Sequence, residues 1–376
     1  MSADLPPLAR DEYRRYGRHI ALSEIGEAGQ RRLKASSVLV VGAGGLGSPA
    51  ALYLAAAGVG RITLCDFDVV DASNLQRQVL FGTADLGRPK SEAGAERLRA
   101  LNPHVEVVAV PDRVSTSNAQ ALVDAHDVVV DGSDNFGTRY LLSDACVLSG
   151  SPYVYGSIHR FEGQASVFHT PRGPCYRCLF PEPPPEGLVP NCAQAGVLGA
   201  LAGLVGSIQA AEAVKLLLGA GTPLLGRLLL IDLLAGSFRE VRLRRDAACP
   251  ACGERPTITR AEELTGPGCA ATPSVGAKEL AALVGAADAP ILVDVREAWE
   301  FGAGSLPGAV NVALGEVSVE AARLPRDRDV VVFCSVGPRG DRAAELLREA
   351  GIDRVRNLRG GLVAWRDEVD PATVVA

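Results

Sequence analysis

The sequence predicts an α/β fold in two units, a larger one on a mixed sheet followed by a smaller α/β unit. Three observations carry this. Apolar strands alternate with helical stretches from residue 36 onward, a glycine turn "VGAGGLGSPA" at 41–50 follows the first strand, and a second βα rhythm begins after a composition break at 253–274. The chain of 376 residues exceeds one ordinary core, and 47% hydrophobic with 22% charged residues suits packed units rather than disorder.

The N-terminal "MSADLPPLARDEYRRYGRHI" is charged throughout and has no apolar run of a secretory signal, so it reads as cytoplasmic. "SSVLVVG", a helix from about Leu46, "RITLCDFD", a helix from about Pro89, "VEVVAV" and "HDVVVDGSDN" then form βαβ units, which imply parallel strands. "GQASVFHT" and "GRLLLIDLLAGSFREVRLR" alternate more tightly, as antiparallel strands do. Between them, "AGVLGALAGLVGSIQAAEAVKLL" is interrupted by Gln209, Glu212 and Lys215 too early for a membrane span and reads as a buried helix. "FPEPPPEGLVPN" at 180–191 is an extended strut ending at Cys192. The expected boundaries are a first domain over 1–256, a linker over 257–274 and a second domain over 275–376. A net charge of −6 without any basic tract leaves nothing to attract nucleic acid or anionic lipid.

Gly42, Gly44 and Gly47 satisfy G-x-G-x-x-G after a strand, a backbone shape that accepts any phosphate near a helix N-terminus, from NAD or from ATP. Asp66, ending the second strand, suits a ribose in either. "DASNLQRQ" favours ATP, because it sets Asn74, Arg77 and Gln78 just beyond Asp66. A triphosphate attacked at its α-phosphorus needs cations to spread the developing charge, and Arg77, Lys90 and Arg18 are the candidates. Asp134 in "DGSDN" is a hard carboxylate suited to Mg²⁺. Each of these, taken singly, is an ordinary surface charge.

Nine cysteines in a reducing compartment read as ligands, nucleophiles or core residues. "CYRC" (Cys175, Cys178) and "CPAC" (Cys249, Cys252) suit a tetrahedral, structural Zn²⁺, with a redox-active pair as the competing reading. Cys192 precedes the apolar helix, whose N-terminus lowers a thiol pKa, although burial is the ordinary fate of a cysteine. Cys334 ends the strand "DVVVF" and opens "CSVGPRG" before a helix, so loop amides converge on one sulfur and suit an anionic persulfide. A tyrosine-phosphatase-like loop would carry Arg six positions after Cys; here residue 340 is Gly and Arg339 comes one earlier, too tight for phosphate. The five histidines show no triad or metal spacing.

"RYGRH", the glycine turn through "DASNLQRQ", "GRPKSEA", "DGSDN" and "FEGQASVF" resemble the bacterial relatives of the ubiquitin-activating enzyme, the adenylyltransferases of molybdopterin and thiamine sulfur-carrier activation, from about residue 12 to 256. The resemblance implies a Rossmann-like domain that uses ATP to adenylate the C-terminal glycine of a ubiquitin-like carrier ending in Gly-Gly. It implies ribose contact by Asp66, phosphate contacts by Asn74, Arg77 and Lys90, and Mg²⁺ at Asp134. Gly45, Ser73, Gln78 and Asn135 complete the expected nucleotide set. It makes Arg18 a finger into a neighbouring subunit, hence a homodimer, places zinc on the four cysteines, and makes Cys192 the residue proposed to bond the activated carrier. Residues 275–376 resemble the rhodanese domain: "LVDVREAWEFGAGSLPGAVNV" and "GGLVAW" match its flanks, and "CSVGPR", with Cys334 and Arg339, its six-residue loop. Ser305 stands where that family often has His, and Gly340 where Ser commonly follows the Arg.

The expected activity is adenylation of the carrier followed by attack of a Cys334 persulfide to give a thiocarboxylate, the sulfur coming from thiosulfate or a cysteine desulfurase. The rivals are an activating enzyme for protein conjugation without sulfur delivery, an NAD-linked oxidoreductase, and a non-catalytic carrier-binding scaffold.

Overall fold

A computed structural model describes residues 5–170, 172–183, 196–262, 273–286 and 288–375. Cys192 and all but the first four residues of the strut lie outside the described residues, as does 263–272. The chain divides into two compact units, Met1–Leu264 and Thr265–Ala376.

The larger unit begins with α1 (Arg10–Ile20) and α2 (Gly26–Lys34). It then alternates β1 (Ser37–Val41), α3 (Gly47–Ala57), β2 (Arg61–Cys65), α4 (Lys90–Leu101), β3 (Glu106–Val110), α5 (Ala119–Asp124), β4 (Val128–Asp131), α6 (Phe136–Ser149) and β5 (Tyr153–His159). Five strands in the order β3-β2-β1-β4-β5 run parallel. β1 and β4 are apolar along almost their whole length because helices cover both faces. Val38 and Val40 enter one core and Leu39 and Val41 the other, the period of two that a strand imposes.

β6 (Glu162–Phe168), β7 (Arg227–Asp232) and β8 (Ser237–Arg242) extend the sheet by antiparallel pairing, so it is mixed, with eight strands. Between β6 and β7 lie the short α7 (Tyr176–Leu179) and the long α8 (Gly199–Leu218). α8 is long and apolar enough to cross a membrane, yet it packs on β5, β6 and α3. Two of its glycines allow close approach of neighbouring backbone: a Cβ at Gly206 would stand 2.4 Å from the Leu46 carbonyl oxygen, at the start of α3, and one at Gly199 2.3 Å from that of Gln76.

The smaller unit is built from β9 (Ser274–Val275), α9 (Ala277–Val284), β10 (Ile291–Asp294), α10 (Ala298–Ala303), β11 (Val310–Asn311), α11 (Val317–Glu320), β12 (Val330–Phe333), α12 (Pro338–Glu349), β13 (Val355–Leu358) and α13 (Gly361–Glu368). Its five strands, ordered β11-β10-β12-β13-β9, are all parallel, and the central β12 is wholly buried.

Candidate functional site

β1 is the strand from which successive crossovers depart in opposite directions, to β2 on one side and to β4 on the other. A crevice opens at the C-terminal ends of strands at such a point. Here it holds a cavity of about 310 Å³.

The glycines around it serve different needs. Gly42 has φ +84°, and a Cβ there would stand 2.8 Å from the Gly132 carbonyl oxygen; a Cβ at Gly47 would stand 1.7 Å from that of Gly42. Both are therefore demanded by the fold. Gly44 is different, since a Cβ there meets nothing nearer than Gln78 Nε2 at 3.8 Å. What its bareness leaves open is the cavity.

Asp66 accepts hydrogen bonds from Ala43 N at 2.7 Å and Asp68 N at 2.8 Å, which fix its carboxylate at the cavity wall. Burial raises its pKa, and the Lys90 ammonium opposes that shift. Lys90, itself buried, lies 3.1 Å from Asp68 Oδ2. Arg77 Nη1 donates to the Ser73 carbonyl at 3.0 Å. Gly42, Gly44, Gly45, Asp66, Arg77, Gln78, Lys90, Asp134 and Asn135 all line the cavity, whereas Gly47, Ser73, Asn74 and Arg18 do not. Gly47 backs the turn, Ser73 and Asn74 belong to the 3-10 turn that carries Arg77, and Arg18 is exposed on α1. Asn135 also caps α6, its Oδ1 accepting from Thr138 N at 2.9 Å.

The sequence reading missed Arg139 and Asp131. Arg139 lies buried at the wall, donates to the Ser133 carbonyl at 3.2 Å, and has its guanidinium 5.6 Å from the ring centres of Phe136 and Tyr155. Asp131, fully buried, accepts from Ser133 N at 2.8 Å and Tyr153 OH at 2.5 Å. Together they fix the turn that presents Asp134. Asp131 opens the "DGSDN" stretch and Arg139 follows it outside any motif, and only the fold shows what either of them holds. Gln78 Oε1, Ser133 Oγ and Arg139 Nε, the last 4.0 Å from Asp131 Oδ2, are buried without a hydrogen bond, and all three residues line the cavity, as a wall made for a polar occupant would have them. Cys65 is also at the wall, but burial and then Asp66 and Asp112 push its thiol up to about 12, leaving it a neutral, poor nucleophile.

Both Cys-x-x-Cys pairs converge. The sulfur atoms of Cys175, Cys178, Cys249 and Cys252 all lie within 4.8 Å of one another, with close pairs at 3.4, 3.5 and 3.9 Å. Tetrahedral bonds of about 2.3 Å put sulfurs about 3.8 Å apart, so the cluster fits zinc. Between the first two cysteines, Tyr176 enters an aromatic cluster with Tyr140, Tyr153, Tyr155 and Phe168, and Arg177 makes two 2.7 Å bonds to buried Asp144. The knuckle is thereby fastened to α6 and to the sheet.

In the smaller unit, Cys334 follows the last residue of β12. Its Sγ accepts from Gly337 N at 3.1 Å, in a loop that requires glycine because φ there is +119°. The Arg339 guanidinium is held by Glu300 through two 2.7 Å contacts and lies within electrostatic reach of this sulfur. Burial raises the Glu300 pKa, but the hydrogen bonds from Arg339 and Glu297 N outweigh it and hold the carboxyl below its ordinary range. Ser305 donates to Asp294 Oδ2 at 2.6 Å, and Asp294 in turn pairs with the wholly buried Arg296 at 2.8 Å. The departure from His therefore still serves the network at the end of β10.

Comparison with known proteins follows the same division. Residues 16–251 match the ThiF family and residues 276–368 the rhodanese-like domain. The chain is 43% identical, over the whole of both chains, to the "Probable adenylyltransferase/sulfurtransferase MoeZ" of Mycobacterium tuberculosis. It is 44% identical to the "Adenylyltransferase and sulfurtransferase MOCS3" of Bos taurus, covering 97% of this chain and 89% of that one. A "Sulfur carrier protein adenylyltransferase" of Thermus thermophilus is 54% identical over 66% of this chain and 93% of its own. Among solved structures, E. coli MccB with MccA-N7isoASN shares the fold at a TM-score of 0.58 and 22% identity, over 64% of this chain and 74% of that one.

Proposed function

Because the chain belongs to the ThiF family and carries a rhodanese-like domain behind it, we propose a division of labour in which the larger unit activates a carrier protein and the smaller one supplies sulfur to it. The chain is an adenylyltransferase and sulfurtransferase. Its substrate class is the ubiquitin-like sulfur carrier. The finer assignments that follow are our reading of the residues.

ATP occupies the cavity at the end of β1. Asp66 takes the ribose hydroxyls, and the bare backbone at Gly44 and Gly45 lets the phosphates approach the N-terminus of α3. Arg77 and Lys90 spread charge over the phosphates, Gln78 and Asn135 complete the polar wall, and Ser73 and Asn74 hold the turn from which Arg77 reaches in, close enough for Asn74 to meet the phosphates once they are bound. Asp134 would hold Mg²⁺, which supplies charge neutralisation when bound. The carrier's terminal carboxylate, from a chain ending in Gly-Gly, attacks the α-phosphorus. The bond to the β-phosphate bridging oxygen breaks, pyrophosphate leaves and an acyl-adenylate remains. Arg18 serves the site of a second copy in a homodimer. Zn²⁺ on the four cysteines is structural, since four protein ligands leave no open position.

The outer sulfur of a Cys334 persulfide then attacks the acyl carbonyl and AMP leaves, giving an acyl disulfide. A second thiol, for which Cys192 is our candidate, attacks the Cys334 sulfur. The carrier departs as a thiocarboxylate and a Cys334–Cys192 disulfide is left for an external thiol to reduce. Thiosulfate or a cysteine desulfurase persulfide reloads Cys334. The domain limits we propose are 1–256 and 275–376, joined by 257–274, and the setting is cytoplasmic.

The observation that carries this reading is a cavity at a strand switch point that offers Arg77 and Lys90 as well as backbone amides, in a chain that also holds a sulfur loop. The test mixes the full chain with Gly-Gly-ending carriers, ATP and thiosulfate, and weighs each carrier intact. The expected result is a mass gain of one oxygen replaced by sulfur with the wild type and none with Cys334→Ala. Release of no pyrophosphate with any such carrier would overturn the proposal.

A further inference from the structure

Three carbonyl oxygens of the Cys334 loop are held from outside. Leu362 N donates to the Cys334 carbonyl at 2.9 Å, Val363 N to that of Ser335 at 3.0 Å, and Asn357 Nδ2 to that of Gly337 at 3.0 Å, beside the helical bond that the Gly337 carbonyl accepts from Asp341 N at 3.0 Å. A tight loop whose carbonyls are pulled outward turns its amides inward, and Gly337 N does reach the sulfur. Two of these donors are backbone groups, supplied by the start of α13. Asn357 is the side-chain donor.

Asn357 sits on β13 with 2% of its surface exposed, and its Nδ2 also donates to Asp341 Oδ1 at 2.7 Å. Its Oδ1 has no partner and points at the backbone of residue 340, where a Cβ would stand only 2.0 Å away. The amide can occupy this place only because residue 340 is glycine. Gly340 and Asn357 are therefore one device: the missing side chain makes the room, and the amide fills it and grips the loop.

We propose that Asn357 is a positioning residue for sulfur transfer, acting through Gly337 on Cys334 and dependent on Gly340 for its place. This rests on Cys334 being the residue that carries the sulfur. The sulfur step itself is unchanged: thiosulfate gives its outer sulfur to the Cys334 thiolate, sulfite leaves, and an acceptor such as cyanide takes that sulfur and restores the thiolate.

The test uses the full chain and its Asn357→Ala, Asn357→Asp, Gly340→Ala and Gly340→Ala/Asn357→Ala variants. It reads kcat and KM for thiosulfate:cyanide transfer and the rate at which iodoacetamide alkylates Cys334. Thermal unfolding and ATP-dependent pyrophosphate release serve as controls for folding. Each single variant is expected to lower kcat and the alkylation rate about tenfold, with KM for thiosulfate held within about twofold. The double variant is expected to be no slower than Asn357→Ala, because Gly340→Ala acts by displacing the amide. Should Asn357→Ala fail to fold, Asn357→Asp keeps the shape while replacing the donor and carries the same expectation. Wild-type kcat and alkylation in a folded Asn357 variant, or losses that multiply in the double variant, would overturn the proposal. Transfer surviving in Cys334→Ala would instead overturn the reading beneath it.

Discussion

In the larger unit the turn after β1 opens onto a cavity of about 310 Å³ walled by side chains of both charges, whereas in the smaller unit the turn after β12 closes on a single sulfur atom. Both turns stand at the C-terminal end of a central parallel strand and lead into a helix, so the backbone offers each the same amides and the same dipole. On the reading we propose, what differs is the charge to be held. A triphosphate carries several charges over a long reach, which amides alone do not balance, and the larger site adds Arg77 and Lys90. A persulfide carries one charge on one atom, and one amide with one guanidinium, itself fixed by Glu300, suffices. The glycines divide accordingly: Gly44 leaves the cavity open, while Gly340 leaves space for the protein's own Asn357.

The largest expected effect separates the two sites outright. Lys90→Ala should lower carrier-dependent pyrophosphate release by about 10²–10³-fold while leaving thiosulfate:cyanide transfer intact, and Cys334→Ala should abolish the transfer while leaving pyrophosphate release intact. If either substitution disabled both assays, the division of labour would fail. The sites should also differ in self-sufficiency. Arg18→Ala and Lys90→Ala, each impaired alone, are expected to regain pyrophosphate release when unfolded and refolded together, since a mixed dimer contains one intact site. No pair of smaller-unit variants should complement in this way, and failure of the first pair to complement would remove the shared site.

The glycine contrast is sharpened by a pair within the first turn. Gly47→Ala should destabilise the larger unit by about 3 kcal/mol or more, because its Cβ meets backbone 1.7 Å away. Gly44→Ala should unfold at the wild-type temperature yet bind ATP about tenfold more weakly, a result calorimetric titration reads directly. The smallest effect concerns Glu300, whose pKa is depressed in the folded protein. The stability it contributes is present in full above the ordinary carboxylate value of 4.5 and is lost as pH falls below it. Glu300→Gln should remove that acid slope from the unfolding midpoint of the smaller unit, a change of about 2–5 °C. An unchanged slope would show that the ion pair does not hold the loop.

The legible parts of the site were those with a short-range signature. Gly42, Gly44 and Gly47 follow a strand at fixed spacing, Asp66 ends the next one, and the two Cys-x-x-Cys pairs advertise a tetrahedral donor set. Arg139 and Asn357 carried no such signal, and Asp131 in "DGSDN" and Glu300 in "LVDVREAWEFGAGSLPGAVNV" lay within recognisable stretches that do not tell their partners. Each is a common residue whose role comes from a partner distant in sequence, such as Tyr153 for Asp131 or Gly337 for Asn357. The sequence does not tell what the glycines of α8 are for, and the fold shows Gly206 and Gly199 to be points of close approach to Leu46 and Gln76.

The succession of strands and helices along the chain, the mixed character of the sheet, the zinc-compatible cysteines and the sulfur loop were fixed by local pattern, because periodicity, turn geometry and ligand spacing act over a few residues along the chain. Which glycines belong to the fold and which to a ligand, and which buried side chains hold the two turns in shape, were decided only in three dimensions. Those properties depend on which atoms meet across strands and helices far apart in sequence, and no local pattern encodes that meeting.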